Sequence, residues 1–182
     1  MPNTKSVGVA YSDPELVSGT TITGAAISGG TVTGSTIDST AKVASNIASG
    51  ISVSQQGATI TTTGNSDVYV IAPAAGVLSS AWFSGTDALA ANDTNYITFT
   101  ITNLGTTGSG TAVMLAATDA NTTKATGGTA TTANARRTLT LNGTAANLVV
   151  AAGDRLRIRA AATNTLANTI TFPVYRLNFT VS

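Results

Sequence analysis

Apolar residues fall in two different rhythms along the chain. Between Val17 and Ile37 an aliphatic returns at every fifth position, at Val17, Ile22, Ile27, Val32 and Ile37. Ser, Thr or Asp follows each one, and Gly comes next in four of the five (Gly19, Gly24, Gly29, Gly34). A strand sends positions five apart to opposite faces, and a helix turns them well over about 100° apart. A period of five keeps its aliphatics on one side only if the chain turns a corner in each repeat. Gly supplies such corners because it tolerates positive φ. The pattern predicts a β-coil or strands wound about an axis. Five aliphatics cannot by themselves offset the cost of ordering so much Gly, Ser and Thr. The pentads are therefore expected to bury their apolar side on copies of the chain or on a large partner.

The second rhythm begins near Ser66. Asp67–Ala72 reads as a strand ending at Pro73, and Val77–Ser84 as another ending at Gly85. Asn95–Asn103 alternates, with Ile97, Phe99 and Ile101 on one face and Tyr96, Thr98, Thr100 and Thr102 on the other. Ala112–Ala117 follows the loop Gly105–Gly110, and residues 118–135 are polar enough to predict an exposed loop. Arg137–Leu141 and Ala146–Val150 flank Asn142-Gly143, a hairpin signal. Arg155–Ala160 alternates again, and Thr169–Val181 closes the chain. In that last stretch Ile170, Phe172 and Val174 sit at even positions, and Tyr175, Leu177, Phe179 and Val181 at odd ones. A regular strand cannot hold both sets on one face, so a bulge or bend is expected between Pro173 and Arg176; the competing expectation is that one half faces a neighbouring subunit.

About eight short strands and little helix predict an all-β fold. The division expected is an extended N-terminal arm (1–16), a pentad-repeat β-coil (17–40), a connector (41–65) and a jelly-roll-like antiparallel β-sandwich (66–182). In the arm, Ser12-Asp13-Pro14-Glu15 suits a capped helical turn or a plain β-turn. In the connector, Val43 and Ile47 fit a helix of about two turns, while Ile51, Val53 and residues 58–63 look extended.

Composition narrows the chemistry. The 182 residues contain no Cys and no His, which removes thiol nucleophiles, His-based triads and the usual zinc ligand sets. Charged residues are 9% of the chain and the formal net charge is +1, so nucleic acid is not an expected partner. No apolar run is long enough to span a membrane, and the N-terminus lacks the apolar core of a signal peptide. Synthesis in a cytoplasm is the expectation.

Few residues stand out as functional. Arg155, Arg157 and Arg159 alternate with Leu156, Ile158 and Ala160. They predict a solvated outer face or a subunit interface, where Arg pairs well with carboxylates, with a nucleic-acid or sugar-phosphate contact as a third reading. Asp87, Asp93, Asp119 and Asp154 lie near turns and lack the spacing of a calcium loop. Gly105–Gly110 lacks the GK[ST] of a phosphate loop. Trp82, Phe83 and Phe99 are core candidates, and Tyr69, Tyr96 and Tyr175 suit either core-edge packing or a sugar-binding surface. No acid and base stand at a catalytic spacing, and no cofactor or metal is implied.

The TTITGAAISGGTVTGSTI repeats ahead of a Thr/Ala/Gly-rich β-domain resemble structural proteins of tailed bacteriophages, above all capsid decoration (cement) proteins and head or tail fibres. AGDRLRI and VIAPAAGVLSSAWF resemble turns and strands of phage-type jelly rolls. The pentads are also similar to pentapeptide-repeat proteins. The resemblance implies a non-enzymatic, homotrimeric virion component on the capsid surface, bound to the major capsid protein. The alternative it leaves open is a fibre module that recognises a receptor or host surface glycan.

Overall fold

A computed structural model describes residues 50–181 of the chain. The arm, the pentads and the helix expected at 43–47 lie outside the described residues.

The alternating stretches form strands because one residue in two is apolar and β-branched or aromatic. The strands are β1 (Ile51–Gln56), β2 (Asn65–Ile71), β3 (Gly76–Ser84), β4 (Tyr96–Asn103), β5 (Ala112–Val113), β6 (Arg137–Leu139), β7 (Val149–Val150), β8 (Arg155–Thr163) and β9 (Val174–Val181). All pairings are antiparallel, in two curled sheets. One runs β1-β9-β3-β6, with β7 joining β3; the other runs β2-β8-β4-β5. Two short 3-10 turns, Asp119–Asn121 and Ala145–Leu148, are the only helical pieces among the described residues.

The inner faces share one core. The first sheet gives Leu78, Ala81, Phe83, Tyr175, Leu177 and Phe179; the second gives Val68, Val70, Ile97, Phe99, Ile101, Leu156 and Ile158. β4 obeys its predicted alternation, with Ile97, Phe99 and Ile101 buried. β3 does not alternate throughout. Its pairing with β9 slips by one residue between Leu78 and Ser80. This bulge moves the inward phase from Leu78 to Ala81 and Phe83. The Ser79 hydroxyl donates to the Asn178 carbonyl at 3.0 Å across the slip.

Three local expectations are corrected. The phase change in the last stretch occurs at Phe172, ahead of the 173–176 window. Phe172 has φ of 44°, and β9 starts only at Val174. Ile170 is buried beside Ile60, to which it bridges, while Phe172 is 63% exposed. The turn therefore throws one aromatic outward instead of bending a continuous strand. Asn142-Gly143 closes no two-residue hairpin: β6 and β7 both pair with β3. The Asn142 side chain binds locally instead, accepting from Thr144 N at 2.8 Å and donating to Val113 O at 2.9 Å. Residues 118–135 are not simply an exposed loop, because Asn121, Thr122, Thr123 and Thr131 are buried. The Asn121 amide donates to the Ala116 and Thr140 carbonyls and accepts from Thr140 N, each at 2.8 Å.

Candidate functional site

The outer face of the four-stranded sheet gathers the residues best suited to recognition. β8 lies between β2 and β4 in that sheet. Its Leu156, Ile158 and Ala160 enter the core, so Arg155, Arg157 and Arg159 stand on the opposite face. Register then sets their neighbours. Arg155 lies opposite Ile71, Arg157 lies between Tyr69 and Thr102, and Arg159 lies between Asp67 and Thr100.

The three guanidiniums differ in environment. Arg159 makes a bidentate pair with Asp67, Nε to Oδ1 and Nη2 to Oδ2, both at 2.7 Å. These hydrogen bonds hold the Asp67 carboxyl below its ordinary value and push Arg159 up. Arg155 stacks over Tyr69, its Cζ 4.0 Å from the ring centroid. Arg157 has a buried Nε with no acceptor among the described residues. Among those residues neither Arg155 nor Arg157 forms an ion pair.

Beside these cations Tyr69 is 41% exposed and Ile71 57% exposed. Arginine, tyrosine and an aliphatic on one pleated surface match the composition of interface cores. The strand reading placed Tyr69 and Ile71 in a strand but not beside the arginines. Their alternation was legible; the pairing of β2 with β8, which juxtaposes the two sets, was not.

The same face continues into a groove of about 290 Å³ between β4 and residues 113–124. Tyr96, Thr98 and Thr100 form its floor and Asp119, Asn121 and Lys124 its far wall. Lys124 Nζ donates to Asp119 Oδ1 at 2.8 Å and lies 4.9 Å from the Tyr96 centroid. The carboxylate is thus held by a cation, and no second acid lines the groove. Such a groove can stack and hydrogen-bond a ligand.

The remaining candidates fall elsewhere. Val17, Ile22, Ile27, Val32 and Ile37 lie outside the described residues. Tyr175 is in the core, 5.4 Å from Phe83, and burial pushes its phenol far above the usual range. The three tyrosines therefore do not make one surface. Phe83 and Phe99 are core, whereas Trp82 is half-buried on the outer side of β3. The aspartates staple loops. Asp87 accepts from Thr171 N and Oγ1 at 2.7 and 2.6 Å, and those bonds lower its pKa. Asp93 accepts from Thr126 N at 2.8 Å, and buried Asp154 accepts from Asn103 Nδ2 and Ala151 N, each at 2.8 Å. Gly105 and Gly108 have positive φ in the β4–β5 loop, which is closed by Gly110 N donating to Leu104 O at 2.8 Å. Among the described residues no three His, Cys, Asp or Glu side chains converge as a metal site would need.

Compared with known proteins, the chain matches no family model, no curated protein and no solved structure.

Proposed function

We propose that this chain is a non-enzymatic structural protein of a tailed-phage virion, a homotrimeric decoration protein that binds and stabilises the capsid shell. The observation that carries the reading is the outer face of β8. Two guanidiniums without a carboxylate, Arg155 and Arg157, lie beside exposed Tyr69 and Ile71. A neighbouring subunit that supplied carboxylates there would cover the apolar side chains and pair with Arg155 and Arg157 in one step. Asp67 already neutralises Arg159, which leaves the other two for the partner. The pentad aliphatics Val17, Ile22, Ile27, Val32 and Ile37 are the proposed contacts to the major capsid protein. The finer fold assignment, a jelly roll, is supported by connectivity. β1, β3 and β9 belong to one sheet and β2, β4 and β8 to the other, so the chain repeatedly crosses between them.

A second reading is favoured by the Tyr96 groove: a receptor- or glycan-binding module of a head or tail fibre. An aromatic ring beside threonine hydroxyls and a Lys–Asp pair suits a sugar. Quantitative mass spectrometry of purified virions separates the two. Hundreds of copies per particle are expected for a decoration protein; a few to dozens would favour the fibre.

A further inference from the structure

Between β6 and the 3-10 turn at Ala145–Leu148 the chain runs alongside β5. Leu141 bridges to Leu115, and Asn142 N donates to the Met114 carbonyl at 2.8 Å. β6 belongs to the five-stranded sheet and β5 to the four-stranded one, so this stretch fastens one sheet to the edge of the other. The Asn142 side chain completes the fastening. Its Nδ2 donates to the Val113 carbonyl at 2.9 Å, and its Oδ1 accepts from Thr144 N at 2.8 Å.

The residue that follows is Gly143, and this is the one Asn-Gly step in the chain. Gly143 is exposed, and a Cβ built on it would meet no atom within 4 Å. Its N–H finds no acceptor among the described residues, although Asn142 N and Thr144 N on either side both do. The bond from Thr144 N folds the side chain back over the Gly143 peptide. It also draws electron density toward Oδ1, which makes the attached Cγ more electrophilic and supports the negative charge that an attack there would place on the oxygen. An unshielded nitrogen and an activated carbonyl carbon are thus held next to each other in the chain.

We propose that Asn142 is a self-modifying site, which deamidates through a cyclic imide and so releases the edge of the four-stranded sheet. Gly143 N attacks Asn142 Cγ and forms the new C–N bond. The proton it loses reaches Nδ2 through water, the Cγ–Nδ2 bond breaks, and ammonia leaves. Water then adds at either imide carbonyl, its hydroxyl to the carbon and its proton to the nitrogen. The ring opens to an aspartate or an isoaspartate at position 142, and nothing is oxidised or reduced. The product has no donor for the Val113 carbonyl, and its carboxylate faces that oxygen with like charge. β5 pairs with β4 only at Thr102 and Asn103, so loss of the Asn142 clamp loosens it. Each event also cancels the formal net charge of +1. The inference rests on neither reading of function.

The full 182-residue protein is held for days in mildly alkaline buffer, folded and, in parallel, unfolded in urea. Peptide mapping by tandem mass spectrometry follows acid at each asparagine, and an isoaspartate methyltransferase assays the isomer. In the folded protein Asn142 is expected to convert ahead of every other asparagine, no more slowly than in urea. Gly143→Ala should slow that conversion about tenfold or more, because a Cβ screens the attacking nitrogen. The variant should melt as wild type does, since the added Cβ meets open space. Met114 N donates to the Ile101 carbonyl at 2.8 Å, so its hydrogen exchange reports on β5. That exchange should quicken about tenfold in the converted protein and in Asn142→Asp. Slower conversion at Asn142 in the folded than in the unfolded chain, another asparagine that converts first, a Gly143→Ala protein that converts as fast as wild type, or unchanged Met114 exchange in Asn142→Asp would each overturn the proposal.

Discussion

Phe83 on β3 and Phe99 on β4 meet across the two sheets, with ring centroids 4.8 Å apart and planes tilted by 44°. This contact joins the sheets at the centre of the core, and Tyr175 extends it at 5.4 Å from Phe83. Aromatic residues are 5% of the chain, so much of the sheet-to-sheet packing rests on few side chains. Phe99→Ala is expected to cost about 3–5 kcal/mol, by lost burial and by the cavity left behind. Urea denaturation measures it, and the midpoint should fall with the slope unchanged. A cost under about 1 kcal/mol would mean that the sheets do not meet here.

The turn before β9 separates two neighbouring apolar residues by role. Ile170 is buried, and Phe172 is 63% exposed with φ of 44°. Thr171 is held by Asp87, and the Pro173 carbonyl accepts from Gly57 N at 2.8 Å, so both flanks are pinned. The other described non-glycine residues with positive φ are asparagines, Asn134 and Asn164, which tolerate it better than a bulky aromatic. Phe172→Gly should relieve about 1–2 kcal/mol of backbone strain, less about 0.5–1 kcal/mol of added chain entropy. The net result is a neutral to slightly raised melting temperature. Ile170→Ala should cost about 2–5 kcal/mol. Equal losses in both variants would contradict this division.

The Asp67–Arg159 pair predicts a pH dependence. Hydrogen bonds from Arg159 lower the Asp67 pKa from its ordinary 3.8. A depressed carboxylate adds stability above the unfolded value, and the contribution is lost as pH falls through the folded one. Both side chains are partly exposed, at 24% and 31%, so the pair is worth about 0.5–1 kcal/mol after solvent screening. Asp67→Asn should therefore melt lower than wild type at pH 7. The gap should close as pH drops below 3.8. A gap that persists at low pH would assign the loss to packing.

Alternating strands were legible, as in β4 and β8, because Ile97, Phe99 and Ile101 in one and Leu156, Ile158 and Ala160 in the other alternate with polar residues. The β3 bulge was legible in principle. Leu78 and Phe83 differ in parity, which is the signal that exposed the phase change before β9. Other features were hidden for physical reasons. A buried threonine whose hydroxyl binds backbone, such as Thr123 at 2.8 Å from Ile97 N, looks like any exposed threonine in a polar run. Arg137 reads as a surface cation until the phase of Leu139 is applied to it. The face around Arg157 depends on β2 lying beside β8, a pairing distant in sequence that no local pattern encodes.

The central claim is that the β8 face joins copies of this chain into a trimer. Arg157→Glu tests it, since the side chain lies on the outer face between Tyr69 and Thr102. Light scattering after size exclusion, at micromolar concentration, should give three times the 18.1 kDa chain mass for wild type and 18.1 kDa for Arg157→Glu, with matching circular dichroism. A wild-type protein that elutes as a clean monomer, or a variant that remains trimeric, would contradict the account.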